Sequence, residues 1–127
     1  MPDNALLVTQ LDELQADLVT ALAPFGGATP GRSFAGEPDQ ALTYGLYLLE
    51  WLACEDGSPG GARATFQVDC YQKTYDSAWP LLVAATLMAA GYGTRIRTER
   101  YDREIGYHIT PVDAAICRRI KKEEDNL

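Results

Sequence analysis

The chain has 127 residues, 46% hydrophobic and 23% charged, which suits a single domain with one core. Its longest largely apolar stretch, Ala78 to Ala90, has 13 residues, short of the roughly 18 that cross a membrane, and it reads as a buried helix. A net charge of −7 speaks against a phosphate-binding surface and so against specific nucleic-acid recognition.

The charge is uneven. Residues 1–60 carry nine acids and one base, Arg32, whereas residues 61–127 carry nine acids and ten bases. Such a split favours head-to-tail association of copies; solvated surfaces that simply differ are the other reading. Met1-Pro2-Asp3-Asn4 lacks the basic region of a signal peptide, which suggests a protein made in the cytoplasm. Cys54, Cys70 and Cys117 are an odd number without metal-type spacing, so structural thiols are expected and no disulfide framework.

Asp3 or Asn4 can cap a first helix to about Ala23, with Leu7, Leu11, Leu14, Leu18 and Leu22 spaced three and four apart. Asp12, Glu13 and Asp17 lie off that stripe. Pro24, Gly26, Gly27, Pro30 and Gly31 break the helix into a loop that ends near Pro38-Asp39. Ala41 to Cys54 reads as a strand: Leu and Ala also suit a helix, but Thr43, Tyr44, Tyr47 and Trp51 pull the other way. Simple alternation puts Leu42, Tyr44, Leu46 and Leu48 on one face and Tyr47, Leu49 and Trp51 on the other. Both faces are apolar and ask for cover.

Glu55 to Gly61 is a turn signal. The next strand alternates, with Ala64, Phe66, Val68 and Cys70 inward and Thr65, Gln67, Asp69, Tyr71 and Lys73 outward. Thr74, Asp76 or Ser77 can cap a second helix, with Pro80 in its first turn and Gly91 or Gly93 at its end. Because Leu81 to Ala90 has almost no polar face, the pattern predicts a helix buried all round, with a neighbouring subunit as one cover. A right-handed crossover makes the strands before and after it parallel if they share a sheet. Thr94 to Arg100 then pairs through a turn at residues 101–104 with Ile105 to Thr110, and Pro111 stops that strand or marks an edge.

The fold expected is α+β: a mixed sheet of about four strands with two helices packed on it, in the order α-β-β-α-β-β. Residues 1–115 form the domain, and residues 116–127 a charged C-terminal tail that is frayed or a short helix.

Candidate chemistry is sparse. His108 is the only histidine, so one chain offers no multi-histidine metal site. Glu50, Asp69, Glu99 and Asp102 could gather around magnesium, but ion pairing with nearby arginines explains them more simply. Cys70 with His108 has no orienting motif around it, and Gly57 to Gly61 lacks the lysine of a phosphate loop. No catalytic residue, cofactor or metal is therefore assigned. The strand bearing Arg95, Arg97, Arg100 and Arg103 is either a docking surface or a solvated edge that discourages aggregation.

Several short patterns occur in a telling order: Leu42-Thr43-Tyr44, then Gln67-Val68-Asp69-Cys70-Tyr71, then Lys73-Thr74-Tyr75-Asp76. Gly91-Tyr92 follows, and Tyr101-Asp102 closes on Gly106-Tyr107-His108. Over roughly residues 41–112 this order resembles the tail-completion, or tail-terminator, proteins of long-tailed bacteriophages. The resemblance implies a structural protein without catalysis, which forms a ring, often a hexamer, that caps the tail tube and joins it to the head. Its partners would be itself, the tail tube and head–tail connector proteins, with no membrane. Its place would be the virion tail, assembled in the cytoplasm of the bacterial host. The surfaces expected to meet other subunits are the first strand with Tyr47 and Trp51, the second helix, and Arg95, Arg97, Arg100 and Arg103. A small cytoplasmic ligand-binding or regulatory domain using the aromatic cluster is the alternative.

Overall fold

Leucines four residues apart build the first helix. A computed structural model of the chain describes residues 4–53 and 59–119; Asp3, the side chains of Asn4 and Leu7, the Glu55–Ser58 turn, Cys54 and residues 120–127 lie outside the described residues. Helix α1 spans Asn4–Leu22 and buries Leu14, Leu18 and Leu22, one face of a 3.6-residue repeat. A short 3₁₀ turn, Ala23–Phe25, ends at Gly26, whose φ of 89° is a backbone conformation that glycine adopts without strain.

Six strands follow the α+β plan, two more than expected: β1 (Thr29–Pro30), β2 (Gln40–Ala53), β3 (Pro59–Gln72), β4 (Gly93–Ile96), β5 (Arg100–Asp102) and β6 (Tyr107–Arg119). Their order across the sheet is β1-β2-β3-β6-β4, with β5 also on β6. Only the two-residue β1 pairs in parallel, with β2; every other pair is antiparallel. By those pairings β4 runs parallel to β3, as a crossover demands, but β6 lies between them. The two extra strands escape sequence patterning because each is only two or three residues long.

The core lies between the sheet and two helices. Phe66, Val68, Cys70 and Ala64 of β3 are fully buried with Val112 and Ala114 of β6 and the α1 leucines. Helix α2, Ala78–Ala89, packs on β4 and β6 and against α1. Of the capping candidates Asp76 acts, its carboxylate accepting the Ala78 N–H at 3.0 Å. The C-terminus closes as a Schellman motif: Tyr92 N–H donates to Leu87 O and Gly91 N–H to Met88 O, both at 3.0 Å, around a left-handed Gly91.

Three expectations change. Strand β2 has a bulge between Leu46 and Leu48, which reverses its alternation. Leu42, Tyr44 and Leu46 lie opposite Cys70, Val68 and Phe66 on the helix side; beyond the bulge it is Leu49 and Trp51, opposite Ala64 and Ala62. Asp69 and Tyr71 point away from the helices yet are only 7% and 4% exposed, and the loop after β1 roofs Tyr71. Phe34 of that loop sits 4.8 Å from Tyr71 and 5.2 Å from Tyr107, edge to face. The Tyr71 and Tyr107 hydroxyls donate to Arg32 O and Pro38 O.

Strand β6 runs straight through Pro111 and on to Arg119, so residues 116–119 belong to the sheet rather than to a tail. The proline is tolerated for a geometric reason. Its carbonyl accepts the Arg97 N–H at 2.8 Å, so its nitrogen also faces the β4–β5 side, where residues 97–99 interrupt the ladder. No bond to β3 is lost. The same interruption splits the expected Thr94–Arg100 strand into β4 and β5.

Candidate assembly surfaces

Helix α2 is covered on one side only. Pro80, Val83, Ala84 and Leu87 are buried, but Leu81, Leu82 and Met88 are 58%, 56% and 61% exposed. Leu81, Ala85 and Met88 share one stripe by their spacing, and Leu82 flanks it. The expectation of a helix buried all round is therefore not met within one chain: among the described residues the sheet, α1 and Phe25, edge to face with Trp79, pack on it and leave that side exposed. An exposed apolar stripe of this kind is a candidate interaction surface.

A second uncovered surface lies at the far edge of the sheet. Strand β1 pairs with β2 only at Thr43 and Tyr44, so from Gly45 onward the β2 edge has no strand beside it among the described residues. Leu46, Tyr47, Leu48 and Trp51 there are 38–61% exposed. Tyr47 lies on the far face of the sheet, as simple alternation has it, and its ring is 5.7 Å from the Arg97 guanidinium.

The four arginines do not act as one cluster. Arg97 reaches across the sheet, its Nη2 donating to Gln67 Oε1 at 2.6 Å and lying 3.1 Å from Asp113 Oδ1. Arg100 lies 3.9 Å from Asp102. Arg95 and Arg103 are exposed and make no ion pair among the described residues. Sequence reading could not separate them, because the separation depends on which carboxylates the fold brings near.

The four acids weighed as magnesium ligands each have another partner. Glu50 lies 3.8 Å from Arg63, Asp69 accepts from Gln67 Nε2 at 2.9 Å, and Asp102 caps the Glu104 N–H. Glu99 pairs with His108 Nδ1 at 2.7 Å, and Tyr75 and Tyr101 flank that imidazole, their ring centroids 5.7 and 4.7 Å from its own. No cluster of three metal-ligating side chains occurs among the described residues. Beside the histidine, Tyr75, Pro80, Leu81 and Ile96 border an open depression of about 450 Å³ that also reaches Thr110, a buried residue whose hydroxyl has no hydrogen-bond partner among the described residues.

Cys70 is fully buried. Burial, with the neighbouring Asp69 charge adding, pushes its thiol up to about 12, so at pH 8 only about one thiol in ten thousand is ionised. In a Cys54→Ser variant, a chromogenic disulfide reagent should therefore label exposed Cys117 promptly and Cys70 only in denaturant. Prompt reaction of two thiols would contradict the burial. The shift also has a stability sign: the unfolded thiol releases its proton near 9.0 but the folded one holds it to about 12, so this contribution is lost as pH rises through that window.

A scan against protein-family models returns no match, and neither does a search of curated protein sequences. No helix is long and apolar enough to cross a membrane among the described residues.

Proposed function

We propose that this chain is a structural protein of a phage or prophage tail, which completes or terminates the tail tube and helps join it to the head by assembling into a ring. The observation that carries the reading is the exposed apolar stripe of α2, Leu81, Ala85 and Met88, on a helix with almost no polar residues. Such a stripe is costly in water and favourable when a neighbouring subunit covers it. The ordered motifs between residues 41 and 112 supply the tail-completion part of the reading. The partners are other copies of the chain, the tail tube and the head–tail connector, and the place is the virion tail.

Light scattering behind a sizing column tests this over a range of concentrations. Six copies of a 13.9 kDa chain give a species of about 83 kDa. A monomer at every concentration contradicts assembly by the chain itself. Arg95→Ala with Arg103→Ala should shift stability by less than about 0.5 kcal/mol, because neither side chain makes an ion pair among the described residues. The same variant should raise the concentration needed for assembly severalfold.

A second reading, a small ligand-binding domain, is favoured by the depression beside Tyr75, with the Thr110 hydroxyl, which has no hydrogen-bond partner among the described residues, at its border. Saturable quenching of tryptophan fluorescence by a small metabolite, in a chain that stays monomeric, would select it.

A further inference from the structure

The sheet has two open edges, and they match. One is β2 beyond Tyr44; the other is β4, paired on one side to β6 and with no strand on its other side among the described residues. Strands β2 and β3, β3 and β6, and β6 and β4 are all antiparallel, so β2 and β4 run in opposite directions. Two copies placed side by side by simple translation thus meet in antiparallel fashion, the mode the sheet already uses.

The register extends the match. Leu46 is level with Phe66, Phe66 with Ala114, and Ala114 with Thr94. One residue row therefore begins at Leu46 on one edge and ends at Thr94 on the other. Leu48 is likewise level with Thr65, Ala115 and Gly93. A neighbour added without stagger lays Leu46 and Leu48 against Gly93 and Thr94. Leu46 and Trp51 are on the helix side, and so is α2, whose exposed Met88 lies only a few residues before β4.

An open strand edge with apolar side chains is a liability unless another strand covers it, and a head-to-tail contact of this kind closes into a ring when its rotation allows.

We infer that copies of this chain associate by adding β2 of one to β4 of the next in antiparallel register, so that the sheet runs unbroken through the assembly. Leu46 and Trp51 then cover the apolar face of the neighbour's α2 near Met88. The inference rests on the ring reading and names the surfaces that make the ring.

Paired cysteines test it. The variant carries Leu46→Cys and Thr94→Cys, with Cys54→Ser and Cys117→Ser to remove other reactive thiols. Within one chain the two positions are three strand spacings apart, about 14 Å at about 4.8 Å each, beyond the roughly 7 Å limit for a disulfide. Any bond between them therefore joins two copies. Mild oxidation of the assembled fraction should convert most of the chain to a ladder of covalent multimers that reductant collapses, while each single-cysteine variant stops at two copies. A second pair, Leu48→Cys with Gly93→Cys, reports the same register if the first fails to assemble when reduced. An assembled species of full mass in which neither pair gives a ladder overturns the strand pairing and leaves the ring reading standing. A chain that stays monomeric overturns both.

Discussion

Phe66→Ala is expected to cost about 3–5 kcal/mol of folding stability. The ring is fully buried at the middle of β3, between Leu46 of β2 and Ala114 of β6, in the cluster that joins the sheet to Leu18 and Leu87. Removing it deletes a large apolar side chain and leaves a cavity that the ladders on both sides prevent from closing. Domains of this size are held by only about 5–15 kcal/mol, so the variant stands close to unfolding. Urea denaturation at fixed protein concentration, which keeps any assembly equilibrium constant, should show a midpoint lower by about 2 M, given slopes of about 1–3 kcal/mol per molar. A loss below about 1 kcal/mol would mean that the cluster around β3 is not the core.

Replacing the α2 stripe should abolish assembly while sparing the fold. Leu81→Glu with Met88→Glu alters two side chains that are more than half exposed, and glutamate forms helices about as well as leucine and methionine. The isolated chain should therefore melt within a few degrees of the parent. At a subunit interface the same change buries two carboxylates without partners in every copy, at several kcal/mol per ion. Light scattering should show the mass fall to that of one chain, 13.9 kDa, over concentrations where the parent is assembled. A variant that keeps the parent's full mass would show that this stripe lies outside the interface.

How much of this was legible from sequence depends on the range of the interaction behind each feature. The α1 leucines, the alternation of β3 and the glycine end of α2 were readable, because the residues that specify them are close in the chain. The bulge at Tyr47 was not: it exists only in the pairing of β2 with β3, and it moves Leu49 and Trp51 to the helix side. Pro111 read as a strand end, yet it lies within β6 opposite a gap in the next strand. Tyr71 was placed correctly on the face away from the helices, but Arg32 and Phe34, nearly forty residues earlier, cover it. The same limit applies to the candidate surfaces. Sequence shows that α2 has no polar face, and only the packing shows that Leu81 and Met88 are the residues left uncovered. Likewise it presents four arginines alike, while the fold commits Arg97 to Asp113 and Gln67 and leaves Arg95 open.

Electron microscopy of the assembled fraction in negative stain tests the central claim most directly. Association through two different edges of the same sheet predicts closed rings of one diameter with a central opening, and no two-fold dimers as an end state. Compact two-fold particles, or particles no larger than a single chain at concentrations where light scattering is also monomeric, would contradict it.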